Sequence, residues 1–93
     1  MFSWRSHDGL KVDLLARVGG RLTPIEVKLT ATPLPRHVDA LQRFKVLAGA
    51  EASDRGLLVC RVPAPVELPH GNLAIPWRDF PAWLRDALDP GPR

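Results

Sequence analysis

Lys11-Val12-Asp13-Leu14-Leu15-Ala16-Arg17-Val18-Gly19-Gly20-Arg21-Leu22-Thr23-Pro24-Ile25-Glu26-Val27-Lys28 is the stretch that decides the fold of this 93-residue chain. Gly19-Gly20 is a two-residue hairpin signal, because the tight turns that match strand twist need positive φ. With that dipeptide as the loop, Val18 faces Arg21, and counting away from the turn sets Leu14 opposite Ile25, Asp13 opposite Glu26 and Val12 opposite Val27. A side-chain period of two then predicts an aliphatic face, Val12, Leu14, Ala16 and Val18 against Thr23, Ile25 and Val27. The other face carries Lys11, Asp13, Glu26 and Lys28. A slip of one residue would bury the charges and expose the aliphatics, so the pattern defends its own register.

On the charged face, Asp13 and Glu26 are expected to meet directly, with their Cβ atoms about 4.5–5.5 Å apart. Like charges at that range repel unless something neutralises them. Two hard carboxylates beside an ammonium group suit divalent-metal hydrolysis. Asp13 and Glu26 would hold Mg²⁺ or Mn²⁺, the Val27 carbonyl would be a third ligand, and Lys28 would orient or help deprotonate water. The same residues also suit a solvated strand face on which Lys11 and Lys28 neutralise the carboxylates diagonally.

Outward from this hairpin, Asp8-Gly9 marks a second two-residue turn, which makes Phe2 to His7 a preceding antiparallel strand. Thr32 and Pro33 read as the cap and first residue of a helix carrying Leu34, Val38, Leu41, Phe44 and Ala48, closed by Gly49. Gly56 to Val62 is apolar on both faces and predicts a buried strand, parallel to a neighbour. Pro63 and Pro65 end it; Leu73-Ala74-Ile75 is a short extended piece, and Asp79 caps a last helix with Phe80, Trp83, Leu84 and Leu88.

The size of the chain bounds it to one domain, residues 1–93. A composition of 45% hydrophobic and 25% charged residues is globular. No stretch approaches the roughly 20 apolar residues of a membrane span, and no apolar h-region follows the first positive charge, so no membrane association and a cytoplasmic location are expected. Cys60 lies in an apolar run and reads as a buried small hydrophobe. His7, His37 and His70 show no ligand spacing, which makes a zinc site improbable. Trp4, Trp77 and Trp83 are expected in the core rather than stacked on bases. The net charge of +3, from 13 Lys and Arg against 10 Asp and Glu, is only a weak nucleic-acid signal, because the basic residues are scattered.

Asp13, a spacer crossing a tight turn, and then Glu26-Val27-Lys28 resemble the Asp…Glu-x-Lys core of the PD-(D/E)xK nuclease superfamily. Val12 stands where that pattern has Pro. The ordered set Trp4 to Asp13, Pro24 to Lys28, Arg55 to Val59 and Ile75-Pro76-Trp77 is similar to the C-terminal domain that follows the ATPase module in a group of prokaryotic AAA-type ATPases. The resemblance runs from Phe2 to about Leu84. It implies an α/β restriction-endonuclease-like core with a mixed β-sheet: three antiparallel strands, helix, strand and C-terminal helix, without the helix that usually opens the core. It also implies a metal-dependent nuclease acting on DNA phosphodiesters, with Asp13, Glu26 and Lys28 catalytic and Asp13, Glu26 and Val27 on Mg or Mn. The other outcome is a non-catalytic module of nuclease fold that partners an AAA-type ATPase. Gln42 resembles a helical Gln of some exonuclease-like branches, and Arg5 and Arg17 are candidate phosphate contacts. With the first helix missing, Val12, Leu14 and Ile25 need the last helix or a second chain as cover, and a homodimer is expected.

Overall fold

Pairing across Gly19-Gly20 follows the expected register, Val18 with Arg21 through to Leu14 with Ile25. Both glycines take positive φ, +59° and +81°, as the tight turn requires. The computed structural model describes residues 2–5 and 9–88. Strands β1 (Phe2–Arg5), β2 (Lys11–Val18) and β3 (Arg21–Val27) are followed by helix α1 (Pro35–Ala48) and strand β4 (Leu57–Cys60). Strands β5 (Val66–Glu67) and β6 (Leu73–Pro76) then lead into helix α2 (Phe80–Leu88).

The strands form one mixed sheet in the order β1-β2-β3-β4-β6-β5. β1, β2 and β3 are antiparallel, whereas β4 runs parallel to both β3 and β6. Leu57 to Cys60 are all buried, as a central strand covered on both faces must be. β5 is a two-residue edge strand that the sequence does not announce: Val66 and Glu67 follow two prolines and are exposed. Trp77 is 63% exposed rather than in the core, Trp83 is half-buried between α2, which carries it, and the sheet, and the side chain of Trp4 lies outside the described residues. His7 and the Asp8 half of the first turn signal also lie outside them; Arg5 pairs with Lys11, so the connection is longer than two residues.

Two helices cover the two faces. α1 lays Phe44 over Leu10, Val12 and Leu15. α2 lays Phe80, Trp83 and Leu84 over Ile25, Leu57, Val59 and Ile75, with Leu14, Ala16 and Val18 of β2 in the same cluster. The faces of β2 therefore differ from the expected alternation, because Val12 and Leu15 share a face although three residues apart. The cause is a β-bulge. Phe2 pairs with Leu15 but Trp4 with Val12, so β2 carries one residue more than β1 across this step. Val27 is also not aliphatic core: it is 43% exposed.

Covering by α1 over Val12 and by α2 over Ile25 removes the reason for expecting a second copy, since both residues are fully buried within the single chain. α1 also starts later than expected. Leu34, not Thr32, occupies the N-cap, and Thr30 and Thr32 instead close a side-chain turn through the Thr30 hydroxyl. His37 makes the cap: its Nδ1 accepts the Leu34 N–H at 2.9 Å while its own N–H donates to the Leu34 carbonyl.

Candidate functional site

The β2–β3 ladder stops at Leu14–Ile25, while β3 stays with β4 through the Lys28 N–H donating to the Val59 carbonyl. Where the two strands part, the carboxylates take over the missing backbone bonds. The Asp13 N–H donates to Glu26 Oε1 at 3.2 Å, and the Val27 N–H donates to Asp13 Oδ2 at 2.9 Å. Each acid thus clasps the other's strand, and the clasp lies beside the bulge between Val12 and Leu15. The remaining oxygens face ammonium groups, Lys28 Nζ 3.6 Å from Glu26 Oε2 and Lys11 Nζ 3.7 Å from Asp13 Oδ1. These separations are beyond direct hydrogen bonding, and both lysines are substantially exposed.

Glu26 is only 4% exposed. Its carboxyl pKa is raised, mainly by burial and further by the Asp13 charge. The Asp13 N–H and Lys28 pull it back. Asp13, Glu26 and Lys28 are therefore brought together as the sequence predicts. The donor set is two hard carboxylate oxygens, enough for a divalent ion that keeps several waters. Among the described residues, no group of three or more His, Cys, Asp or Glu side chains converges as a metal cage.

Beside Glu26 lies a recess of about 280 Å³ between the end of β3 and the start of α1, lined by Glu26, Lys28, Arg36, His37 and Ala40. Sequence reasoning missed Arg36 and His37. The available signal was topological: a helix linking parallel β3 and β4 must begin beside the C-terminal end of β3, which carries Glu26 and leads into Lys28. The His37 imidazole is lowered in pKa by its burial, with Arg36 and Lys28 adding to the shift.

Two other predicted residues serve elsewhere. Gln42 accepts from Asn72 Nδ2 at 2.9 Å, and Asn72 Oδ1 in turn accepts the buried Gly56 N–H at 2.8 Å. Gln42 thus joins α1 to the start of β4 and β6. Arg17 donates to the Gly20 carbonyl at the hairpin tip, four residues and about 13 Å of strand away from Asp13. Arg5 is exposed on β1, opposite Lys11. Cys60 is buried, as expected.

Residues 1–80 match the family described as a domain of unknown function, DUF4143. The chain belongs to the DUF4143 family. Members of this family are typically found in AAA-ATPase-associated proteins. The matched span contains the whole sheet, α1 and all the residues of the clasp and recess; α2 extends beyond it. No curated protein and no solved structure matches the chain. Among the described residues, no helix is long and apolar enough to cross a membrane.

Proposed function

We propose that this DUF4143 chain is a metal-dependent nuclease-like domain of restriction-endonuclease-like fold that hydrolyses DNA phosphodiesters and works alongside an AAA-type ATPase module. The observation that carries the reading is the mutual clasp of Asp13 and Glu26 with Lys28 3.6 Å from the buried acid. Asp13 and Glu26, with the Val27 carbonyl, would hold Mg²⁺ or Mn²⁺, which supplies Lewis-acid polarisation of a phosphoryl oxygen and a more acidic bound water. The chain's own contributions are distinct from that. The two backbone N–H bonds fix both carboxylates in place, so no ordering cost is met on binding. Lys28 holds a positive charge beside the site and can position a water through its ammonium protons.

Hydrolysis of single- and double-stranded DNA with Mg²⁺ or Mn²⁺ tests this directly. Lys28→Ala is expected to lower the rate by about 10²–10⁴ while leaving the fold intact, since Lys28 is exposed. Cleavage that Lys28→Ala does not reduce would overturn the assignment.

A second reading, a non-catalytic module that partners an AAA-type ATPase, is favoured by one observation: each carboxylate already faces a lysine. It predicts no cleavage with any divalent ion and no stabilisation by Mn²⁺. The nuclease reading predicts that Mn²⁺ at about 100 times its Kd stabilises the fold by roughly 2.7 kcal/mol, an effect lost in Asp13→Asn.

A further inference from the structure

We propose that the recess at the start of α1 is a phosphate-binding subsite, in which Lys28, Arg36 and His37 hold a phosphate group of a nucleic-acid strand beside the Asp13–Glu26 pair. Its place on a DNA strand rests on the nuclease reading, whereas the binding itself does not.

Three observations converge on an anion. Lys28 and Arg36 line the recess against the single carboxylate of Glu26, which leaves it one positive charge in excess with His37 neutral. His37 is only 7% exposed, and its Nδ1 is occupied as an acceptor by the Leu34 N–H. The neutral ring therefore carries its proton on Nε2. Among the described residues that Nε2–H has no acceptor, although the side chain lines the recess. The side chain is buried and held in place by the helix cap, while the Nε2–H itself stays accessible and open to an incoming oxygen.

The third observation is the charge pattern of α1. Its first turn contains no acidic residue but holds Arg36, although a helix N-terminus favours negative charge and repels positive charge. An anion in the recess would satisfy both the helix end and the guanidinium. The volume sets the scale: about 280 Å³ falls just under the roughly 300–1,000 Å³ of small-molecule pockets, and suits a phosphate with part of its sugar rather than a whole nucleotide.

The test uses the full chain in EDTA, so that no metal contributes. Amide chemical shifts are followed during titration with inorganic phosphate, with a short oligothymidylate bearing a 5′-phosphate, and with the same oligomer ending in a 5′-hydroxyl. Shifts centred on Lys28, Arg36 and His37 are expected. Arg36→Ala should weaken binding at least about tenfold. His37→Asn keeps an acceptor where Nδ1 stood but removes the Nε2–H; it should weaken binding similarly while the protein stays folded and keeps most of its stability. Equal binding of the two oligomers would assign an internal phosphodiester. Preference for the phosphorylated one, with competition by inorganic phosphate, would assign a terminal phosphate. Absence of shifts in the recess, or unaltered affinity in a folded Arg36→Ala variant, would overturn the proposal. Failure of the nuclease reading shows instead as absent cleavage with Mg²⁺ or Mn²⁺, while binding in EDTA persists.

Discussion

Glu26 carries an electrostatic strain that its burial imposes on the fold. A buried carboxylate whose pKa is raised binds its proton more tightly folded than unfolded, so the folded state holds more protons between the ordinary carboxylate pKa near 4.5 and the raised value. Stability must then fall as pH rises through that window. Glu26→Gln keeps an oxygen for the Asp13 N–H but cannot ionise. In EDTA, the variant should melt higher than wild type at neutral pH and lack that part of the decline, which thermal melts across pH 4–8 would reveal. A pH profile that Glu26→Gln leaves unchanged, or a Gln variant that melts lower at pH 7, would show that Lys28 and the backbone bond outweigh burial. Gly56 presents a purely steric case. A Cβ there would lie 2.6 Å from Asn72 Oδ1 and 3.2 Å from Leu41 Cβ, and Asn72 is fixed by its bonds to Gly56, Gln42 and Pro69. Gly56→Ala should cost about 1–3 kcal/mol in urea denaturation. Asn72→Ala should cost a similar amount, because it leaves the Gly56 N–H buried without an acceptor.

At the scale of elements, the start of α1 depends on one imidazole. Protonated His37 cannot accept the Leu34 N–H at Nδ1, and burial together with Arg36 and Lys28 holds its folded pKa below 6.5. The unfolded chain therefore binds more protons between that lowered value and 6.5, and stability falls as pH drops through 6.5. Deletion of the cap by His37→Ala should cost about 1 kcal/mol at pH 7.5 and abolish this acid-side loss, whereas His37→Asn should retain most of the stability. A His37→Ala protein as stable as wild type at pH 7.5 would mean the cap contributes nothing. This cap also shows where sequence reading stops. Thr32-Pro33 has the residue types of a helix start, yet a histidine three residues after a leucine does the capping, and nothing in residue preferences points to that pair. The β2–β3 register was readable because Gly19-Gly20 and the alternation agree. The bulge was not, since a period of two carries no mark of the extra residue that moves Val12 to the α1 face. That Asp13 and Glu26 come together could be read from the hairpin, although the ladder ends one pair short of them and side-chain bonds replace the expected direct pairing; Arg36 and His37 required knowing that β4 returns parallel beside β3.

For the whole molecule, the decisive matter is what covers the second face of the sheet. The sequence left two candidates for Leu14 and Ile25, the last helix or another chain, and α2 takes that place with Phe80 and Trp83 stacked at 6.2 Å between ring centroids. α2 has only nine residues, too few to be stable alone, so it persists by packing on Ile25, Leu57, Val59 and Ile75. Its loss would uncover an apolar face larger than a small domain tolerates in water. Wild type should therefore sediment at micromolar concentration as a 10.3 kDa monomer. Trp83 is half-buried, so Trp83→Ala should lose about 2–3 kcal/mol, below the 3–5 kcal/mol typical of fully buried aromatics. That is a large share of the roughly 5–15 kcal/mol that stabilises a typical domain. Concentration-dependent association and dye binding to apolar surface should appear in Trp83→Ala and not in wild type. If wild type dimerises instead while Trp83→Ala changes neither stability nor association, α2 is not the cover and a second chain fills that role.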